Sequence, residues 1–169
     1  QSGDGAREGS RALLVINARL VDRDMDSSGA IFARDGTIER VFTGTLLSSD
    51  DEAELKCLRA DPSVETVDAR GAVLMPAFVD LHAHFRDPGF TQKEDIETGC
   101  RAAAKGGYTA VNLMANTNPV CSDMETVRYI RRKAETMGLV DVHQCVSVTK
   151  NFDGRTVDHL KELDDKVKL

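Results

Sequence analysis

The sequence lacks any apolar run close to the ~20 residues that a membrane-crossing helix requires. Its opening segment, QSGDGAREGS, also lacks the basic start and apolar centre of a secretion signal, so we expect residues 1–10 to form a flexible leader. With 41% hydrophobic and 30% charged residues, the composition is typical of a soluble globular chain. These features favour a cytoplasmic location.

Neither paired cysteines nor an excess of positive charge is present. The absence of C-x-x-C argues against a zinc knuckle, and a net charge of −6 with a pI near 5.2 gives no basic footprint for nucleic acid. We interpret Arg131–Lys133 as the solvated face of a helix. Neither nucleic acid nor a membrane is therefore an expected partner. The wide spacing of the cysteines predicts free thiols at Cys57, Cys100, Cys121 and Cys145.

The first part of the chain has a β-like pattern. Residues 11–76 contain short apolar segments between turn signals, including the hairpin signal Asp35-Gly36, and predict a small β-rich N-terminal domain segment of the sandwich type. The acidic run Ser48–Glu54 is better suited to a loop or a short surface helix. The expected strands are Ala12–Val21, Ala30–Ala33, Thr37–Thr43, Val64–Asp68 and Gly71–Met75.

After Pro76 the pattern changes to strand, loop and helix, repeated three times over residues 77–169. Capping-box signatures at Thr91–Glu94 and Ser122–Glu125 predict the starts of two helices, and Thr156–Leu169 has apolar residues at helical spacing for a third. Alternation of this kind predicts an α/β fold with a parallel sheet. The expected strands are Ala77–Phe85, Thr109–Ala115 and Val140–Thr149.

Three β/α units are too few for a (β/α)8 TIM-like barrel, which has eight units in roughly 250 residues. If the fold is such a barrel, residues 77–169 form its first three units and the barrel is incomplete in this chain. We then expect the remainder of the barrel in the same or a companion polypeptide, because an open parallel sheet leaves an unpaired edge.

The most informative segment is DLHAHFRDPG, residues 80–89. Alternate side chains of a strand point the same way, so Asp80, His82 and His84 should share one face, which Arg86 could extend. Neutral imidazoles are favoured zinc ligands, and barrel active sites lie where the strands end. An H-x-H pattern can also arise by coincidence on a surface strand, but its position favours a metal site.

Two motifs resemble those of a known family. Residues 76–89 look like the first-strand signature of dihydroorotases, P-x-F-x-D-x-H-x-H-x-R-D-P-G, in the amidohydrolase superfamily. Asn116-Thr117-Asn118-Pro119 is similar to the N-T-N-P element that these enzymes carry after the second strand. The likeness is strongest over residues 75–120. Ala77 and Ala115 depart from the glycine and proline that are common there, and neither position supplies a reactive group.

The resemblance implies the N-terminal portion of a zinc-dependent dihydroorotase, which interconverts dihydroorotate and N-carbamoyl-aspartate in pyrimidine biosynthesis. His82 and His84 would be ligands of one Zn²⁺ in a binuclear site, and Arg86 with Asn116 would hold the substrate carboxylate. The catalytic aspartate and the remaining metal ligands would follow Leu169, so the isolated chain is expected to be inactive. Family analogy also implies a homo-oligomer and aspartate transcarbamoylase as a partner.

Two alternatives remain open. Another cyclic amidohydrolase, such as an allantoinase or a hydantoinase (dihydropyrimidinase), would share H-x-H but would not be expected to pair it with Arg86 and N-T-N-P, because its substrates lack this carboxylate. A non-catalytic dihydroorotase-like partner typically loses the metal histidines, which this chain retains. Arg86 and Asn116 also have simpler structural interpretations. Arg86 could pair with Asp87 or Glu94 at the surface, and Asn116 could cap a loop.

Overall fold

The computed structural model describes residues 11–44, 47–164 and 167. The leader expected at residues 1–10 lies outside the described residues. The chain divides into two compact units, Gln1–Pro76 and Ala77–Leu169. Within the described ranges, no helix is both long enough and apolar enough to span a membrane.

Over residues 11–44 and 47–76, the N-terminal unit contains a five-stranded sheet and one helix. The strands are β1 (Ala12–Val21), β2 (Asp26–Arg34), β3 (Thr37–Thr43), β4 (Val64–Asp68) and β5 (Val73–Leu74), and the helix is α1 (Ser49–Ala60). The order is β3-β2-β1-β4, with β5 also paired to β1. β1–β2 and β2–β3 are antiparallel, whereas β4 and β5 run parallel to β1. Asp35 and Gly36 have φ of 48° and 79°, as a hairpin turn between β2 and β3 requires.

One face of this sheet is covered by α1. Alternate residues of β1, among them Leu14 and Ile16, are buried, and Leu55 and Leu58 of α1 pack against that cluster. This packing explains why the helix continues to Ala60, beyond the acidic run in which we expected a loop or a short helix. The opposite face exposes apolar side chains, including Leu13, Ile38, Val41 and Val67.

The C-terminal unit alternates strands and helices, which confirms the α/β class. Strands β6 (Phe78–Ala83), β7 (Tyr108–Leu113) and β8 (Asp141–Gln144) alternate with helices α2 (Ile96–Lys105) and α3 (Met124–Met137), and 3₁₀ turns follow at Lys150–Phe152 and Asp158–Glu162. The three strands are parallel in the order β6-β7-β8. β8 is much shorter than the expected strand, Val140–Thr149. The core between sheet and helices includes Val111, Leu113, Ile96, Cys100, Ile130 and Ala134.

The four cysteines are free thiols, as their spacing predicted. Cys57 is exposed, and the other three are buried. Burial is the main reason why the pKa of Cys121 rises to about 12, and burial also raises the pKa of Cys100. The thiols of Cys121 and Cys100 are therefore protonated at neutral pH and behave as small apolar core groups.

The first predicted helix start was wrong. α2 begins after Asp95, not within Thr91–Glu94. The Asp95 carboxylate accepts a hydrogen bond from Thr98 N, and the Thr98 hydroxyl accepts one from Asp95 N, so the reciprocal capping box forms four residues later than predicted. An aspartate caps a helix as well as a threonine does, and Asp95 is the residue that directly precedes buried Ile96.

The second predicted start was displaced by one residue, from Ser122 to Asp123. Asp123 Oδ1 accepts the hydrogen bond from Thr126 N at 2.8 Å. The Ser122 hydroxyl is buried and hydrogen-bonds instead to Ser147 Oγ at 2.8 Å. α3 ends at Met137 and is capped by Gly138, which adopts the left-handed conformation with φ of 59°.

The predicted third helix, Thr156–Leu169, is wrong. The described part of this segment has a 3₁₀ turn at Asp158–Glu162 and becomes extended at Leu163, with φ of −83° and ψ of 148°. His159 is buried, and its Nε2 contacts the backbone carbonyl of Ser147 at 2.9 Å. Tertiary contacts therefore override the helical spacing. Part of the pattern still reflects packing, because Leu163 contacts the cluster around Val127.

Candidate functional site

Two histidines lie side by side where β6 ends. The strand stops at Ala83, so His82 is within it and His84 follows it directly. Both side chains are exposed, and their ring centroids are 5.0 Å apart at an interplanar angle of 70°. Asp80 Oδ1 accepts a hydrogen bond from His82 N at 3.0 Å. The structure thus brings the two predicted metal ligands together at the carboxyl end of a parallel strand.

The packing beneath the strand end sets the direction of these rings. Ala83 and Phe85 pack into the core with Ile96 and Cys100 of α2. The side chain of His84, which lies between them in the sequence, therefore points to the other side of the chain. Gly99 makes room for Phe85, because a Cβ atom there would lie 2.6 Å from the aromatic ring. A larger residue at this helix position would push Phe85, and with it the backbone of His84, out of place.

Asn116 holds one of the two imidazoles. Its Oδ1 lies 2.9 Å from His84 Nδ1, and it follows β7, the neighbouring parallel strand. With Oδ1 as the acceptor, Nδ1 carries the proton and Nε2 presents its lone pair. A hydrogen bond to the second ring nitrogen is the usual way in which a metal-binding histidine is oriented. Asn116 is therefore placed to orient His84, a role that the sequence analysis did not assign to it.

Arg86 lies immediately beyond the histidines, in a turn. Its φ is 61°, a left-handed conformation that is uncommon for a residue other than glycine, so the strand alternation ends before this position. Within the described ranges, no carboxylate lies within ion-pair distance of its guanidinium. The surface pair with Asp87 or Glu94, which we considered as an alternative, does not form.

The loops that carry Arg86 and Asn116 touch each other. Asn118 N donates a hydrogen bond to Pro88 O at 2.9 Å. Gly89 has φ of 94°, and a Cβ atom there would lie 2.1 Å from Asn118 O. Only glycine permits this approach, because any other residue would be strained at that φ and would also collide with the backbone.

Replacing Gly89 by alanine should therefore destabilise the protein by roughly 1–3 kcal/mol more than the same change at Gly154. Gly154 is a matched control, since it has φ of 74° but no atom within 4 Å of its Cβ position. Urea unfolding of the two variants measures the difference. Equal losses of stability would show that the contact between the two loops contributes nothing.

Asp87 is the residue of this region that the sequence analysis missed. Its side chain is 1% exposed, and its carboxylate accepts hydrogen bonds from Lys133 Nζ at 2.6 Å and Tyr129 OH at 3.1 Å. The hydrogen bond to Asp87 is the main reason why the pKa of Lys133 rises above its ordinary value. Our interpretation of Arg131–Lys133 as a solvated face did not include this contact, since the Lys133 side chain is 41% exposed but its ammonium group pairs with Asp87. The available signal was the four-residue spacing of Tyr129 and Lys133, which places both on one side of α3.

The donors at this site suit part of a zinc centre. Two exposed imidazoles, one of them with its Nδ1 already hydrogen-bonded, are the ligand type that Zn²⁺ prefers. Within the described residues, no group of three or more His, Cys, Asp or Glu side chains is placed to hold a metal ion. A catalytic zinc usually takes three protein ligands, so the described residues supply a partial set.

Comparison with known proteins gives the family. A family described as "Dihydro-orotase-like" matches residues 71–165, which is more than half of the chain. The chain belongs to this family. The resemblance drawn from the H-x-H-x-R-D-P-G and N-T-N-P motifs is thereby confirmed.

Curated relatives of this dihydroorotase-like chain include dihydroorotases from bacteria. The chain is similar to that of Clostridium botulinum (strain Eklund 17B / Type B), with 48% identity over 153 residues, 90% of this chain and 35% of the relative. It is also similar to that of Sulfurihydrogenibium sp. (strain YO3AOP1), with 46% identity over 90% of this chain and 34% of the relative. The chain thus spans about a third of the length of these relatives.

Solved structures with a similar fold include hydantoinases. An L-hydantoinase (dihydropyrimidinase) from Arthrobacter aurescens gives a TM-score of 0.64 at 23% identity, covering 89% of this chain and 29% of that protein. A D-hydantoinase from Thermus sp. gives 0.56, also at 23% identity, covering 89% of this chain and 30% of that protein. At this level of identity the likeness concerns the fold.

Proposed function

We propose that the polypeptide carrying this chain is a zinc-dependent dihydroorotase, which reversibly hydrolyses the cyclic amide of dihydroorotate to N-carbamoyl-aspartate in pyrimidine biosynthesis. One observation carries the proposal: the imidazoles of His82 and His84 lie side by side, and Asn116 contacts the His84 ring. Arg86 follows His84 by two residues, and its guanidinium has no ion pair within the described residues. A metal-ligand pair beside a receptor for an anion suits a carboxylated cyclic amide.

We infer that residues 77–169 form the first three units of a (β/α)8 barrel, and that residues 11–76 belong to a β-sandwich domain. The parallel order β6-β7-β8 supports the first inference, as does Leu81 on the edge strand β6, which is 74% exposed. The exposed apolar face of the N-terminal sheet supports the second, because such a face needs another layer to cover it. The remainder of the barrel would come from the same or a companion polypeptide.

His82 and His84 would hold one zinc ion of a binuclear pair. When bound, the metal pair supplies a hydroxide at neutral pH and Lewis acidity toward the ring carbonyl. The protein's own part is to present the ligands: Asn116 fixes the His84 ring so that Nε2 carries the lone pair, and Asp80 holds the backbone of His82. The catalytic aspartate and the other ligands would come from residues outside this chain.

Arg86 and Asn116 would bind the ring carboxylate. A guanidinium offers two parallel donors that match a carboxylate, and Arg86 has no ion pair within the described residues that would compete. With Oδ1 of Asn116 directed to His84, its Nδ2 group is left to donate a hydrogen bond. The same amide would thus touch both the metal ligand and the substrate, which would couple binding of the carboxylate to the geometry of the metal site.

Ring opening by the full-length, zinc-loaded protein tests this proposal. We expect turnover of dihydroorotate, loss of turnover after chelation, and much slower turnover of dihydrouracil, a ring of the same kind without the carboxylate. Comparable rates on both rings would favour the hydantoinase-type alternative, and no turnover of either ring would favour a non-catalytic dihydroorotase-like partner. A cytoplasmic location, a homo-oligomeric state and association with aspartate transcarbamoylase stay predictions.

A further inference from the structure

We propose that Asp87 is a positioning residue for Arg86: its buried carboxylate, held by Lys133 and Tyr129 of α3, fixes the turn that presents the guanidinium to the substrate carboxylate. The inference rests on the proposed function, because it concerns how the same site recognises its anion.

The contacts of Asp87 are those of an anchor. Its side chain is 1% exposed and is approached by Lys133 Nζ at 2.6 Å, Tyr129 OH at 3.1 Å and Ile96 N at 3.4 Å. A buried carboxylate is tolerated only when it is paired and hydrogen-bonded, and removing one partner of such a pair is strongly unfavourable. The backbone at Asp87 is therefore tied to the start of α2 and to the middle of α3.

The neighbouring residue is the one that needs such a tie. Arg86 adopts φ of 61°, and a residue other than glycine keeps this conformation only when its surroundings impose it. On the C-terminal side of Arg86, the neighbouring residue Asp87 is anchored. The backbone of Arg86 is also held directly, because Arg86 O accepts a hydrogen bond from Phe90 N at 2.9 Å. Asp87 is joined directly to Arg86 by a peptide bond. Holding Asp87 in place therefore also restricts the strained backbone of Arg86 and the direction of its side chain.

The anchor also connects the loop after β6 to α3, the helix that follows the Asn116–Pro119 loop. α3 begins at Met124, shortly after the Asn116–Pro119 loop, and it is the helix that supplies Lys133 and Tyr129 to the loop after β6. The spacing between Arg86 and Asn116 is thus set through α3 as well as through the contact of Gly89 with Asn118. A two-donor receptor for a carboxylate depends on that spacing.

The test uses the full-length enzyme and the variants Lys133→Met and Tyr129→Phe, with Arg132→Met as a matched control on the exposed side of the same helix. We expect Lys133→Met to raise the KM for dihydroorotate about tenfold, since a small misplacement of a binding group costs up to about a hundredfold. Lys133→Arg should restore most of the affinity. Zinc content, and kcat/KM for dihydrouracil, should match the wild type, and Arg132→Met should change nothing.

The decisive comparison is with Arg86→Leu. Because the anchor acts through Arg86, adding Lys133→Met to Arg86→Leu should cause no further rise in KM. Tyr129→Phe removes one oxygen atom and keeps the test available if Lys133→Met does not fold. A lowered melting temperature with unchanged KM, or an additive effect on top of Arg86→Leu, would overturn the positioning role. A normal KM in Arg86→Leu alone would overturn the proposed carboxylate site itself, and this inference with it.

Discussion

Changing either His82 or His84 to alanine in the full-length enzyme should abolish turnover of dihydroorotate and reduce the bound zinc. Each substitution removes an imidazole from the pair whose rings lie 5.0 Å apart at the end of β6. A zinc that loses one of its few protein ligands is held weakly, and within the described residues no group of three or more His, Cys, Asp or Glu side chains is placed to hold it instead. Metal analysis after dialysis and a steady-state assay measure the two losses.

The matched control for this prediction is His143→Ala, which removes an exposed histidine from β8. It should keep the zinc content and the rate of the wild type. The interpretation of H-x-H as a metal site would be contradicted if the His82 and His84 variants kept their zinc and their activity.

Arg86→Leu should impair dihydroorotate far more than dihydrouracil. Truncating one partner of a buried, hydrogen-bonded charge pair costs about 2–5 kcal/mol, which corresponds to a loss in kcat/KM of about 30-fold to several thousandfold. Arg86 has no ion pair within the described residues, so the lost interaction would be the one with the substrate. Steady-state kinetics on both rings, followed by the change in absorbance as the ring opens, give the ratio.

Arg101→Leu serves as the control for Arg86→Leu. Arg101 is an exposed arginine of α2 that pairs with Glu97, and its loss should leave both substrates unaffected because exposed ion pairs contribute little. If Arg86→Leu lowered turnover of the two rings equally, Arg86 would act on the fold or on the shared amide rather than on the carboxylate.

Local sequence patterns were sufficient to predict much of the fold. The limits of β1, β3 and β4 coincide with the expected strands, and the Asp35-Gly36 turn lies where the hairpin signal placed it. These features depend on alternation and turn chemistry, which act between near neighbours in sequence. The starts of α2 and α3 were harder to predict, because more than one residue near each start can cap a helix. Thr91 lies four residues before the actual cap Asp95, and Ser122 lies directly before the actual cap Asp123.

Contacts between residues far apart in the chain could not be predicted from local sequence patterns. His84 meets Asn116 across 32 residues, and Asp87 meets Lys133 across 46. The motifs indicated that His84 and Asn116 belong to one site, but not that the amide would orient the imidazole. The four-residue spacing of Tyr129 and Lys133 placed both on one side of α3, but nothing in it identified Asp87 as their shared partner. The C-terminal segment failed for a related reason, since burial of His159 decides its conformation.

Zinc-edge anomalous diffraction from crystals of the full-length protein with dihydroorotate bound would locate both the metal and the substrate carboxylate. We expect a zinc peak about 2.0–2.1 Å from a ring nitrogen of both His82 and His84. We also expect Asn116 to keep its hydrogen bond to His84 Nδ1, and the ligand carboxylate to lie on Arg86 and Asn116. Zinc bound elsewhere, or a ligand carboxylate turned away from Arg86, would contradict the proposed function.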